Sequence, residues 1–93
     1  MAILFIPSLL RPITGGAYRV LVDARNLRDA IDGLDALHPG TKARLLDDRG
    51  ELREEIVAAI DGETTHLGMI QPLGPDSEVH FIPAISGGSI PLR

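Results

Sequence analysis

Residues 78–88 read Glu-Val-His-Phe-Ile-Pro-Ala-Ile-Ser-Gly-Gly, and this stretch decides the fold. Its first residues alternate between hydrophobic and polar, which is typical of a β-strand with one buried face. The alternation predicts a strand over residues 78–85. Val79 and Phe81 would lie on one face of this strand, and His80 and Ile82 on the other. A double glycine follows the strand directly, and it makes an arm without side chains.

The position of Gly87 and Gly88 matters more than their identity. Glycine makes up 10 of the 93 residues, so about one Gly-Gly pair is expected by chance. A second pair, Gly15-Gly16, lies in a predicted loop. A plain interpretation of Gly87-Gly88 is a flexible end to a domain; the preceding strand favours a tail with a function. Ser89-Ile90-Pro91-Leu92-Arg93 follow, so the carboxyl group of Gly88 is in a peptide bond.

One helix is predicted before this strand. Asn26 is a typical N-cap residue, and Asp29 lies in the first turn, where a negative charge is favoured. The segment His38-Pro39-Gly40 ends the helix. Five hydrophobic residues fall on one helical face: Leu27, Ala30, Ile31, Leu34 and Leu37.

The remaining elements complete an α+β pattern. Hydrophobic runs predict strands over residues 2–6, 18–23 and 56–60, and a short edge strand over 63–66. The first two would form an N-terminal hairpin, and residues 41–46 a short second helix. The order is strand, strand, helix, strand, short strand, strand. It predicts a mixed sheet of four or five strands packed on one main helix.

Composition excludes several classes of protein. The net charge is −4 and Lys42 is the single lysine, which argues against a nucleic-acid partner. The absence of cysteine excludes disulfides, thiolate metal sites and cysteine nucleophiles. No run is long enough to span a membrane, and the N-terminal run is too short for a signal peptide. We therefore expect a cytoplasmic protein.

The titratable residues do not suggest an enzyme. His38, His66 and His80 lack the spacing of metal ligands. The acidic pairs Asp47-Asp48 and Glu54-Glu55 are adjacent in sequence, so their side chains diverge and are expected to be solvated. We expect no bound metal and no cofactor.

The residues described so far resemble a known family. The β-grasp order and the C-terminal pattern, from Asp76 through Val79, Phe81 and residues 82–86 to Gly87-Gly88, are similar to those of the ubiquitin-like sulfur carriers of the MoaD/ThiS group. The N-terminal stretch Ile-Pro-Ser-Leu-Leu-Arg-Pro-Ile-Thr-Gly-Gly, residues 6–16, is similar to that of CysO-type members. The resemblance covers residues 2–88 and implies a β-grasp (ubiquitin-like) domain over 1–88 with a C-terminal extension over 89–93.

The resemblance also implies a mechanism. An adenylating enzyme of the ubiquitin-activating type would use ATP to activate the carboxylate of a terminal Gly88, and a sulfur donor would convert it to a thiocarboxylate. A sulfur-accepting synthase for cofactor or cysteine biosynthesis would then take the sulfur. Because Ser89 follows, a zinc peptidase of the JAMM type would first have to cut the Gly88–Ser89 bond. The carrier itself would do no catalysis.

The resemblance implies a docking patch beside the tail. Ile6, Ile82, Ala84 and Ile85 are its candidate residues, since exposed apolar patches mark interfaces. The alternative is that Ile6 and Ile82 cover the core or the sheet edge. For Arg11, contact with a partner and a solvated loop position both stay open.

Two other functions remain as alternatives. One is a protein modifier joined to lysines through Gly88. The other is an unprocessed β-grasp interaction module, in which Gly87-Gly88 is a hinge and Ile90 and Leu92 dock on a partner or on the sheet.

Overall fold

The computed structural model describes residues 1–65 and 67–83 of the chain. The described strands are β1 (Ala2–Phe5), β2 (Arg19–Val22), β3 (Ile56–Ile60), β4 (Glu63–Thr64) and β5 (Glu78–Pro83). The helices are α1 (Leu27–Leu37) and α2 (Thr41–Leu45), and short 3-10 helices cover Ser8–Leu10 and Gly68–Ile70.

The five strands form one mixed sheet in the order β2-β1-β5-β3-β4. β1 and β5 are parallel, with Leu4 opposite Val79, and every other neighbouring pair is antiparallel. Sequence order and spatial order therefore differ, because the last strand lies in the middle of the sheet. This arrangement confirms the predicted α+β, β-grasp fold with its N-terminal hairpin.

Helix α1 begins where the sequence predicts. The side chain of Asn26 accepts a hydrogen bond from the N–H of Asp29 at 2.8 Å, which satisfies one of the unpaired donors of the first turn. His38 is the C-cap, and its N–H donates to the carbonyl of Leu34 at 2.8 Å. The capping residues are therefore confirmed at both ends.

The buried face of α1 covers one face of the sheet. Leu27, Ala30, Ile31 and Leu34 are fully buried and pack in one core with the inner-face residues of β1 and β5. Leu37 was predicted on the same face, but it is 58% exposed. It is the last residue of the helix, and the chain turns away immediately afterwards, so the helical periodicity overestimates the buried stripe by one residue.

Polar contacts hold the turn between the two helices. A carboxylate oxygen of Asp35 accepts hydrogen bonds from the N–H groups of Gly40 and Lys42, at 3.0 and 3.1 Å. The Lys42 Nζ lies 2.8 Å from a carboxylate oxygen of Asp32. The single lysine of the chain is thus in an ion pair on the surface.

The second half of the chain differs from the prediction in two details. β4 has two residues, Glu63–Thr64, instead of the predicted four; His66 lies outside the described residues. The 3-10 helix Gly68–Ile70 was not predicted, because a single turn shows no hydrophobic period, although Met69 is buried in the core. The predicted end of β5 at residue 85 lies outside the described residues.

Across residues 1–65 and 67–83, no helix has the length and apolar character that crossing a membrane requires.

Candidate functional site

β5 leads the chain from the centre of the sheet to the residues that the sequence marks as functional. Because β5 runs parallel to β1, the C-terminal ends of both strands lie at the same end of the sheet, which we call the tail-side edge. There Pro83 lies opposite Ile56, the first residue of β3. β5 therefore ends between the end of β1 and the start of β3. Of the predicted site residues, Ala84, Ile85, Gly87, Gly88 and Ser89 lie outside the described residues.

Ile82 is the described residue that best fits the predicted docking patch. Its side chain is 46% exposed on the outer face of the sheet, opposite the half-buried Val57 of β3. The expectation that Ile82 faces outward beside the tail is confirmed. Its role in binding a partner stays a prediction.

Two hollows flank Ile82 and extend the apolar surface. One, of about 130 Å³, lies toward β3 and is lined mainly by hydrophobic side chains, among them Pro7, Leu9, Ile56 and Pro83. The other, of about 270 Å³, lies toward β1 and is lined by Phe5, Pro7, Arg11, Tyr18 and His80, with Ile82 at its border. We call Leu9, Tyr18 and Ile82 the tail-side patch, since all three are large, exposed hydrophobic residues at this edge.

The expectation that Ile6 faces outward is wrong. Its side chain is 2% exposed and belongs to the core. Ala2 and Leu4 are buried on the inner face of β1, and alternation along the strand places Ile6 on that same face. Ile6 is also fixed through its main chain, which donates to the carbonyl of Tyr18 at 2.8 Å and accepts from Arg11 Nε at 3.3 Å.

Arg11 therefore has a local role in the structure. Its guanidinium contacts the main chain of Ile6 and lines the hollow beside Ile82, while the residue remains exposed. This position is compatible with both hypotheses for Arg11, since it is solvated and also lies beside the tail-side patch.

His80 occupies the middle of the outer face. Its ring stacks on Phe5, with ring centroids 4.2 Å apart and planes 6° from parallel. Its Nε2 lies 3.9 Å from a carboxylate oxygen of Glu78. The pairing of β1 with β5 creates this stack, because it sets Phe5 opposite His80. His80 is thus a surface residue, as predicted.

The described residues offer no catalytic constellation. Among residues 1–65 and 67–83, no group of three or more His, Asp or Glu side chains could hold a metal ion. Among the described carboxyl groups, that of Asp47 has a pKa below its usual range. The N–H of Glu51, donating at 3.1 Å, lowers the pKa of Asp47; lost hydration opposes this, and the N–H and charge of Arg49 add to it. The carboxylate of Asp47 accepts main-chain hydrogen bonds from Arg49 and Glu51 within one turn, so its lowered pKa comes from the turn and does not mark a functional site.

Sequence reasoning missed Leu9 and Tyr18, which are 70% and 63% exposed. A weak signal existed for Leu9. It precedes Leu10 in a short loop, and two adjacent side chains of one turn rarely enter the core together. The structure buries Leu10 and leaves Leu9 exposed.

Comparison with known proteins gives a consistent result. The model of the ThiS family matches residues 5–88. The sulfur carrier protein CysO of Mycobacterium tuberculosis is 30% identical over 87 residues, covering 89% of this chain and 94% of the relative. Small archaeal modifier protein 1 of Haloferax volcanii is 37% identical over 71 residues, covering 75% of this chain and 79% of the relative.

The fold agrees with a solved structure of a related protein. The crystal structure of the Amycolatopsis orientalis BexX/CysO complex contains a chain that superposes with a TM-score of 0.86 at 27% sequence identity. The alignment covers 95% of this chain and 100% of the other chain. The likeness extends over the whole sheet and its helices.

Proposed function

Because the chain belongs to the ThiS family, we propose that it is a ubiquitin-like sulfur carrier protein, most similar to CysO-type members. In this role the protein is a substrate of enzymes and does not itself catalyse a reaction. It carries sulfur at its C-terminus and is recognised through its sheet. We expect it to work in the cytoplasm, where ATP is available to the partner enzyme.

One observation carries the proposal: the family match ends at residue 88, the second residue of the double glycine. The match begins at Phe5, the last residue of β1, includes the rest of the β-grasp domain and its Gly87-Gly88 tail, and leaves residues 89–93 outside. We propose that residues 1–88 are the working carrier and that 89–93 are a removable extension.

Removal of the extension is the first step. A peptidase hydrolyses the Gly88–Ser89 bond. The resemblance to the sulfur-carrier family implies a zinc peptidase of the JAMM type. Water is consumed, the pentapeptide Ser-Ile-Pro-Leu-Arg leaves, and Gly88 gains a free carboxylate. Without this step the carbonyl carbon of Gly88 stays in an amide and cannot be adenylated.

Activation and sulfur loading follow on the adenylating partner. A carboxylate oxygen of Gly88 attacks the α-phosphorus of ATP, pyrophosphate leaves, and an acyl-adenylate forms. A sulfur nucleophile at the oxidation level of hydrosulfide then displaces AMP and leaves a thiocarboxylate. ATP belongs to the partner, so this chain needs no resident cofactor. A sulfur-accepting synthase then takes the sulfur.

The geometry of β5 supports a carrier that binds its partner through the β-grasp domain and presents Gly88 to the partner's active site. The strand is hydrogen-bonded on both sides, to β1 and to β3, so the base of the tail is fixed. The five residues from 84 to 88 span at most about 17 Å when fully extended. That reach lets a partner dock on the tail-side patch while its active site receives Gly88. Glycine suits a narrow channel because it has no Cβ to clash.

Three proteins that differ in their last residues test the proposal. They are the full chain, a form ending at Gly88, and a form ending at Gly88 with Gly88→Val. Each is incubated with ATP, a hydrosulfide source and an adenylating enzyme of the carrier type, and its intact mass is measured. Only the form with a free Gly88 should gain about 16 Da, the difference between sulfur and oxygen. An unchanged mass in that form contradicts the carrier function.

A second function, protein modification, is favoured by the 37% identity to small archaeal modifier protein 1. The same adenylate would then pass to a lysine amine instead of a sulfur nucleophile, and an isopeptide bond would form at Gly88. Lys42, the single internal acceptor, is held by Asp32 at 2.8 Å, which disfavours chains of this protein. Adducts with other proteins that require Gly88 would support this function, and a stable unprocessed chain would support an interaction module.

A further inference from the structure

β2 is an edge strand whose residues alternate between exposed and buried. It pairs with β1 on one side, and among the described strands none pairs with its other side. Val20 and Val22 are buried, while Arg19, Leu21 and Asp23 are exposed; the exposed fraction of Leu21 is 52%. An edge strand with an exposed leucine at its centre is a template for another strand.

The β1–β2 ladder determines which main-chain groups of β2 face the open edge. The Ile6 N–H donates to the Tyr18 carbonyl at 2.8 Å, so Ile6 and Tyr18 form a hydrogen-bonded pair. In an antiparallel ladder such pairs alternate with non-bonded pairs. Val20 therefore bonds to β1, and the N–H and C=O groups of Arg19 and Leu21 point to the open edge.

We propose that β2 of a second copy of this chain pairs antiparallel with this edge, with the two-fold axis at Leu21. Leu21 then lies opposite Leu21 of the partner subunit, and their outward main-chain groups exchange two hydrogen bonds. Arg19 lies opposite Asp23 of the partner subunit, and by symmetry this ion pair forms twice.

The charges select this register. Registers that also pair the outward main-chain groups differ from the proposed one by two residues. If the second copy shifts by two residues in one direction, Arg19 lies opposite Arg25 of the partner subunit, where like charges repel. The carbonyl of Arg25 is also occupied, since it accepts the N–H of Leu73 at 2.8 Å. A shift in the other direction sets Arg19 opposite Leu21 of the partner subunit and loses both ion pairs. The proposed register alone joins unlike charges and two leucines.

The opposite edge of the sheet does not offer an equivalent surface. β4 contains two residues, Glu63–Thr64, so it gives a second copy little main chain to pair with. Charges at an edge strand commonly prevent pairing. At this edge, however, Arg19 begins β2 and Asp23 directly follows its last residue, so two charges of opposite sign lie at equal distance from Leu21 and attract in an antiparallel copy.

The pairing has a consequence for the arrangement of the two subunits. Side chains that lie opposite one another across an antiparallel pair are on the same face of the sheet. Both outer faces, each with its Ile82, therefore lie on the same side of one continuous sheet. The dimer does not depend on the sulfur-carrier role, and it leaves β5 accessible in each copy.

The dimer should be weak, because five residues on each side bury well under the area of a stable interface. We expect a Kd on the order of 0.1 to 1 mM for the full chain. The test is a series of amide NMR spectra of the full chain from about 20 µM to about 2 mM, with sedimentation equilibrium on the same samples. Shifts that depend on concentration should map to residues 19–23, and isotope-filtered spectra should show contacts between Leu21 methyl groups of two copies.

Charge reversals make the test specific. Arg19→Asp and Asp23→Arg should each weaken the dimer roughly 10-fold or more, since each sets like charges opposite one another twice. The double variant Arg19→Asp/Asp23→Arg should restore the wild-type Kd, because it exchanges the ion pairs. Arg44→Asp on α2 causes the same change of net charge as Arg19→Asp and should leave the Kd unchanged. Amide dispersion of each variant shows that it is folded.

Three results would overturn the proposal: no association up to the highest concentration, association that maps to a surface other than β2, or a double variant that stays monomeric while folded. The last result would show that Arg19 and Asp23 do not pair across the interface, because exchanging two paired charges restores their attraction. If β2 instead binds an extended segment of a different protein, the full chain alone stays monomeric, and the proposal is wrong.

Discussion

Among the residues the structure describes, Ile82 is the one on which we expect the docking of a partner to depend most. It separates the two hollows at the tail-side edge, and β5 ends one residue further on, at Pro83. A large apolar side chain at the centre of a patch, with a rim that excludes water, has the features of an interface hot spot.

Ile82→Ala should therefore raise the KM of the adenylating enzyme for the carrier by roughly 10-fold, with little change in kcat. The matched control is Ile70→Ala, since Ile70 is also exposed, at 67%, and lies on the 3-10 helix next to α1. Steady-state pyrophosphate release on forms ending at Gly88 measures both. Equal KM values for the two variants would show that Ile82 does not contribute to binding the adenylating enzyme.

Asp47 gives a prediction on pH. Its pKa is lowered in the folded protein, first by the hydrogen bond from the Glu51 N–H and then by Arg49. A lowered pKa means that the stabilisation is present above the pKa of the unfolded chain, about 4, and is lost as the pH falls through the folded-state value. Asp47→Asn keeps an acceptor oxygen and removes the charge, so it should lower the free energy of unfolding at pH 7 and not at pH about 2.

Urea denaturation at the two pH values measures the difference. Asp48→Asn is the control, because among the described residues its carboxylate has no hydrogen bond or ion pair. A loss of stability for Asp47→Asn that is the same at both pH values would show that its charge is not the cause.

Ile6 shows why residue-level prediction failed on one side of the sheet. The first strand reads as a continuous apolar run, because Ile3 and Phe5 on its outer face are hydrophobic as well. A run without polar residues has no period, so the sequence does not say which face Ile6 joins. The alternation at Glu78–Pro83 is clear, and there the faces of Val79 and Ile82 were predicted correctly.

At the scale of elements, the contact between α1 and β2 depends on Gly33. A Cβ built on Gly33 would lie 3.3 Å from the Cβ of Val22 and 3.4 Å from its Cγ1. The helix can approach the strand this closely because glycine has no side chain. The glycine lowers helix propensity, and the close packing offsets that cost.

Gly33→Leu should lower the free energy of unfolding by roughly 2 kcal/mol, because its side chain has no room against Val22. Ala36→Leu places the same side chain on the exposed face of α1 and should change stability by less than about 0.5 kcal/mol. Thermal or urea unfolding compares the two. If Gly33→Leu were as stable as wild type, the packing of α1 on β2 would be looser than described.

The elements themselves were largely predictable, and their arrangement was less so. Caps, helical period and turn residues are local signals, and they located α1, β3 and the N-terminal hairpin. The pairing of β1 with β5 joins residues far apart in sequence, and no local pattern encodes it, so the predicted mixed sheet did not specify it. The Phe5–His80 stack depends on this pairing, so it became visible only in the structure.

At the scale of the whole molecule, the chain consists of a β-grasp domain and a C-terminal segment that we propose is the reactive end. The central position of β5 fixes the point at which the described chain ends, and we propose that the tail-side patch beside it is where partners dock. We propose that cleavage of the bond between Gly88 and Ser89 converts the inactive form into the active one. The central claim is that this bond is cut and that Gly88 then carries sulfur.

The most direct measurement is the intact mass of the protein purified from the cells that naturally make it, under conditions that preserve thiocarboxylates. The account predicts a population that ends at Gly88, part of which is heavier by about 16 Da and loses that mass on mild hydrolysis. A protein that ends at Arg93 in every growth condition would contradict it.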